Sequence, residues 1–105
     1  MIDGVILNAP LPNQRLGADL VAVETSEENE FIKRVISTIE DTDGYWILGG
    51  KRIGNDYIWV QTGNRFGFTD WYPSYPDRFP YVYMFTSGGW FTSDSNWYKN
   101  FICEA

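Results

Sequence analysis

The chain has 105 residues, enough for one domain with a single core and little to spare. Its net charge of −6 and pI near 4.4 would be repelled by phosphates and anionic lipid headgroups, so neither nucleic acid nor a membrane surface is expected as a partner. With no histidine and a single cysteine, it can hold no imidazole base, no His-centred triad, no CxxC zinc knuckle and no intrachain disulfide.

Two further exclusions follow from motifs. Neither GxxxxGK[ST] nor GxGxxG occurs, and no apolar run reaches the length of a membrane span, so no membrane insertion is expected. The first residues lack the charged start, apolar stretch and cleavage site of a signal peptide, so the chain either stays inside or starts after processing or at a cloned boundary. An enzyme is not expected. It would require a convergent carboxylate pair, with Asp70, Asp77 and Asp94 the residues to inspect.

In chain order, "MIDGVIL" reads as a short edge strand, and Pro10 and Pro12 block a regular helix after it. "GADLVAVET" reads as a strand behind a glycine turn, with Leu20 and Ala22 inward and Val21 and Val23 as further candidates. The clearest element is a helix over residues 26–40. Thr25 is its N-cap, and Glu28 three residues on completes a capping box. Phe31, Ile32, Val35, Ile36 and Ile39 form one apolar stripe, and the run "EENE" reads as a solvated first turn favoured by the helix dipole. "DTDG" ends the helix in a turn.

From Tyr45 onward strands and turns alternate. "GYWILGG" is a strand ending at its glycine pair, "GND" a tight turn, "YIWV" a strand and "QTGNR" another turn. Between Phe66 and Tyr81 stand seven aromatic rings interrupted by Pro73, Pro76 and Pro80, a pattern that neither a helix nor a central strand tolerates. This segment is a long aromatic loop. "YVYMF" is the next strand, "SGG" turns, "WF" opens a short strand, and Phe101-Ile102-Cys103 forms the last. One helix followed by many short strands gives an α+β class with antiparallel sheets.

Several of these pieces, in this order and spacing, resemble the C-type lectin-like domain: "LGADLVAVETSEENEFI", "YWI", the "WYPSYPD" of residues 71–77, "GGW" at 88–90 and the closing "NFICEA". The resemblance covers residues 6–104. It implies a single C-type lectin-like domain over 1–105, shortened at its N-terminus, in which "MIDGVIL" supplies a substitute strand pairing with "NFICE". Left unpaired, that terminal strand would offer an open edge for a homodimer.

The resemblance also implies what is missing. The family commonly carries two disulfides, whose cysteines would fall on Asn13, Tyr81, Ser95 and Cys103, so Cys103 has no partner. This small residue is expected to be buried. Sugar-binding members hold calcium in the long loop through the Glu and Asn of "EPN" and the Asn and Asp of "WND". Those positions are Tyr75, Asp77, Phe91 and Thr92 here. One carboxylate and a hydroxyl do not meet the six to eight oxygens that calcium wants, so no cofactor is expected. Pro76 is the position of the family's cis peptide bond, and Asp70, Asp94 and Asn96 are the oxygens that could build a different ion site.

The implied function is a non-catalytic recognition module, extracellular or at the cell surface, that binds a protein or a glycan without calcium through the long loop. Its candidate ligand-binding residues are Tyr72, Tyr75, Asp77, Arg78, Phe79, Tyr81, Phe91 and Thr92. Trp46, Trp59, Trp71 and Trp90 are expected in the core, with Phe66 and Phe68 packing the base of the loop onto it. Two alternatives stand beside this: a calcium-dependent carbohydrate-binding lectin, and a structural or engineered scaffold whose loop is buried on itself in place of the lost metal.

Overall fold

The computed structural model describes residues 5–7, 20–39, 44–94 and 100–104. Expectations for Asn13, Pro10, Pro12, Ser95, Asn96 and the "DTD" turn lie outside these residues. The elements are β1 (Val5–Leu7), α1 (Ser26–Ser37), β2 (Tyr45–Ile53), β3 (Asp56–Trp59), β4 (Tyr81–Phe85), β5 (Trp90–Ser93) and β6 (Ile102–Glu104). One antiparallel sheet has the order β3-β2-β4-β5, and a second pairs β1 with β6. The α+β class is therefore observed.

β1 lies antiparallel to β6, with Ile6 opposite Cys103. On the other side Leu20 bridges to Cys103, and Ile47 bridges in parallel to Phe101. The edge on which a homodimer was expected is thus filled from within the chain.

The helix starts where the capping box placed it. The Glu28 amide donates to Thr25 Oγ1 at 3.1 Å, and Glu28 Oε1 accepts from the Thr25 amide at 3.1 Å. It ends at Ser37, earlier than expected, and Ile39 stands exposed beyond it. Ile32 and Ile36 carry the stripe into the core, with Phe31 packed at its margin. The first turn is not the solvated run expected, since Glu28 is 8% exposed and Asn29 2%. Asn29 Oδ1 accepts the Trp90 indole N–H at 3.0 Å, and its Nδ2 donates to Asp70 Oδ2 at 2.9 Å. A polar side chain survives there because both ends of its amide are used.

"LVAV" is also corrected. Residues 21–23 are extended and buried but join no strand, and the segment is tied by Val21 N–H to Ile102 O at 2.9 Å and Gly49 N–H to Val21 O at 2.8 Å. The glycine pair does not end β2, which continues to Ile53. It is where layers approach. A Cβ on Gly49 would stand 2.5 Å from the Leu20 carbonyl oxygen, and one on Gly50 would stand 2.4 Å from Phe66 Cζ.

Strand alternation separates two faces of the main sheet. Inward go Trp46, Leu48, Val82, Met84 and Trp90, against Ile32, Ile36 and Val23. Trp59 stacks on Phe66 at 4.0 Å, and Trp90 meets Trp59, Phe66, Phe68 and Trp71 edge-on. Trp46, Trp59 and Trp90 are fully buried, and Trp71 is half-buried against them. The Trp59 indole N–H finds no hydrogen-bond partner there, a penalty of about 1–3 kcal/mol carried by the ring's apolar burial. On the opposite face Tyr83 and Cys103 are buried with Leu20, Ile47 and Phe101. Cys103 is buried and in no disulfide, as its lone place in the sequence implied.

Candidate functional site

The long loop leaves β3 and returns as β4. Its first half is anchored by backbone: Trp90 N–H donates to Asp70 O and Tyr72 N–H donates to Trp90 O, both at 2.8 Å. Extended backbone through 70–72 sends Trp71 to the core and leaves Tyr72 48% exposed. The Tyr75–Pro76 peptide is cis, as expected from the family position of Pro76.

The tip is held by side chains. Thr92 Oγ1 donates to Asp77 Oδ1 and accepts the Asp77 amide at 3.2 Å. Asp77 Oδ1 also receives the Phe79 amide at 3.0 Å. The Tyr57 hydroxyl lies 2.8 Å from Asp77 O and 2.7 Å from Phe79 O, and its single proton serves one carbonyl at a time. Between these two, Arg78 O accepts Arg52 Nη1–H at 2.7 Å. Arg52 is fixed in turn, donating from Nε to Gly54 O at 2.9 Å and from Nη2 to Asn55 Oδ1 at 3.3 Å. Three consecutive loop carbonyls are therefore clasped by residues of β2 and β3, and the Asp77 carboxylate at the tip is clasped by β5. Burial raises the Tyr57 phenol above its ordinary 10.0; Arg52 opposes the rise, Asp77 adds to it and the Thr92 hydrogen bond opposes it.

This clasp decides how the candidate residues sort. Thr92 is 4% exposed, and its hydroxyl is engaged with Asp77, so it holds the loop. Asp77 is exposed, but one of its carboxylate oxygens already accepts two hydrogen bonds. Phe91 is half-buried in a ladder of rings. It stacks on Phe85 at 4.3 Å and on Tyr83 at 5.3 Å, and meets Tyr75 edge-on at 6.0 Å. Tyr72 meets Phe85 edge-on at 5.2 Å, so Tyr72 and Tyr75 crown one continuous aromatic strip on the outer face of β4 and β5. Tyr81 lies at the strip's other end beside Lys51, and two residues before it Phe79 carries the Arg78 guanidinium over its ring.

The calcium positions implied by the resemblance do not fit the ion. They present a tyrosine ring, a ladder phenylalanine, a buried hydroxyl and a single carboxylate whose Oδ1 is already doubly bonded, against a need for about six to eight oxygens. Among the described residues no cluster of three acidic, cysteine or histidine side chains stands ready for a metal. Asp70 faces Asn29 and Lys33, while Asp94 is exposed at the end of β5.

The sequence reading missed Arg52 and Tyr57. Neither belongs to a motif, and their partners lie 26 and 22 residues away in the chain.

Among the described residues, a capped helix, an antiparallel sheet, a terminal strand pair and a long loop with a cis-proline have the arrangement of a lectin-like domain. The model of the C-type lectin domain matches residues 13–105, and the chain belongs to that family. Solved structures agree. CEL-I, a C-type lectin of Cucumaria echinata, superposes with a TM-score of 0.70 at 23% identity over 80% of this chain. The chain spans 65% of the length of that lectin. SPL-1, solved in complex with GlcNAc, gives 0.70 at 29% identity, covering 82% of this chain and 68% of its own. The carbohydrate-recognition domain of the mouse scavenger receptor C-type lectin gives 0.71 at 17% identity, with 99% and 85% covered. Among the described residues no helix is long and apolar enough to cross a membrane.

Proposed function

We propose that residues 1–105 form a non-catalytic glycan-recognition module that binds without calcium through the long loop and the neighbouring strand β5. The observation that carries this reading is the pairing of a closed clasp with open rings. Arg52, Tyr57 and Thr92 hold the loop tip with hydrogen bonds, so no ion is needed to shape it. Tyr72 and Tyr75 meanwhile stand at the solvent edge of an aromatic ladder. A ring with an apolar face and a polar edge matches a pyranose, which offers a C–H face ringed by hydroxyls. SPL-1, a structural relative, is itself solved with a bound sugar. The setting we propose is extracellular or the cell surface, where C-type lectin domains generally work.

A protein ligand is the second reading. It is favoured by the tyrosine, phenylalanine and arginine at the loop tip, residue types that anchor protein interfaces. A glycan array probed with the labelled chain, once with calcium and once with excess chelator, separates the readings. Sugar binding that ignores the chelator and disappears in Tyr72→Ala supports the proposal. Binding lost with chelator supports a calcium-dependent lectin, and silence on the array moves the ligand to a protein or leaves a structural module.

A further inference from the structure

The outer aromatic strip ends in a group of cations on a chain that is acidic overall. Lys51 lies opposite Tyr81 in the β2–β4 pairing, with Nζ 5.9 Å from the Tyr81 ring centre. Arg78 places its guanidinium 5.3 Å from the Phe79 ring. Arg52 ties the loop to β2 beside them, its amide donating to Pro80 O at 2.9 Å and its Nη1 to Arg78 O at 2.7 Å, with its side chain on the Tyr57 face of the strand and Lys51 on the other. These are three of the eight basic residues, gathered where the loop rejoins the sheet.

Among the described residues neither Lys51 nor Arg78 forms an ion pair with a carboxylate. Arg65, the other cation of this hairpin, is already 3.6 Å from Asp56. Asp77, the neighbour of Arg78 in the chain, makes no ion pair with these cations, and its Oδ1 is turned to Thr92 and the Phe79 amide; Asp70 faces Asn29 and Lys33. Arg52 is a positioning residue whose three nitrogens all have acceptors, so Lys51 and Arg78 are the cations with free donors. Each is kept over an aromatic ring, which limits its search and leaves its N–H groups for an incoming anion.

We propose that the ligand carries an anionic group, a carboxylate or a sulfate on a sugar, and that Lys51 and Arg78 receive it while Phe79 and Tyr81 take the adjoining apolar sugar face. This rests on the glycan reading above and adds the charge class of the ligand. It also gives the acidic chain selectivity, because net repulsion discourages polyanions at large while one local patch accepts a defined anion.

The test is titration of the full chain with an N-acetyllactosamine oligosaccharide, its sialylated form and its sulfated form. The anionic forms are expected to bind about tenfold more tightly than the neutral parent, as one desolvated charge-assisted contact would give. That margin should shrink as salt is raised. The double variant Lys51→Gln, Arg78→Gln changes two side chains and should lose the margin, so that it binds the two anionic forms no more tightly than the neutral parent. Preference for one anionic form alone names the source of the anion. Equal binding of all three sugars overturns this inference and leaves the glycan reading standing, as does an anionic preference that survives in the double variant. Binding of none of them overturns both.

Discussion

Replacing Tyr57 by Phe removes one oxygen from the centre of the clasp and keeps the ring. The ring packs at 5.4 Å from Trp71 and 5.8 Å from Phe66, so the core contact persists. What disappears is the hydroxyl lying 2.8 and 2.7 Å from the carbonyls of Asp77 and Phe79. One proton makes one good hydrogen bond at a time, and the net contribution of such a bond is about 1 kcal/mol. For a domain of this size that lowers Tm by roughly 4–8 °C. The local effect is larger than the global one. Asp77 and Phe79 amides, bonded to Thr92 Oγ1 and Asp77 Oδ1, should exchange hydrogen faster because the loop has lost its tether to β3. The same group gives a pH signature. Its phenol is raised by burial, so the stabilisation is complete below the ordinary value of 10.0 and fades as pH climbs through the folded value. Wild type should therefore lose more stability than Tyr57→Phe between neutral and strongly alkaline solution. An unchanged Tm, unchanged loop exchange and identical alkaline profiles would refute the clasp.

Gly50→Ala should destabilise by about 1–3 kcal/mol, read by denaturant unfolding, because the new methyl would press on Phe66 Cζ and on Val82 Cγ2 at 3.1 Å. Asn29→Ala should cost about 1–3 kcal/mol in the same assay, since it strands the buried Trp90 indole N–H. Tyr72→Ala should leave Tm nearly unchanged while abolishing glycan binding in titration, as the ring is 48% exposed and touches the fold mainly through Phe85 and Gly89. A variant that unfolds, or one that still binds, would contradict that division of labour.

What the sequence made legible is what short-range chemistry encodes. Thr25 and Glu28 announce the helix start because both halves of a capping box lie within four residues. "YVYMF" announces β4 because alternate residues face opposite sides. The pairing of β1 with β6 was legible only through the family resemblance, which leaves the closing "NFICE" strand in need of a neighbour. Long-range polar contacts were not legible. Asn29 looks like a solvated residue among glutamates, and only the arrival of Trp90 and Asp70 makes it a buried hub. Glycines 49 and 50 read as a strand end, although they mark the crossing of β2 by the Leu20 segment and by Phe66. Thr92 read as a weak ligand oxygen, and it is the loop's own partner that occupies it. The aromatic loop is a mixture that no periodicity separates: Phe66, Phe68 and Trp71 turn to the core, while Tyr72 and Tyr75 turn outward.

The clasp of Arg52, Tyr57, Thr92 and Asp77 means that the loop keeps its shape through the protein's own side chains. Hydrogen exchange at the Asp77 and Phe79 amides, followed in saturating calcium and again in excess chelator, tests this most directly. The clasp predicts equal and substantial protection in both solutions, since the acceptors are Thr92 Oγ1 and Asp77 Oδ1. Protection that appears only with calcium would contradict it and return the loop to metal control.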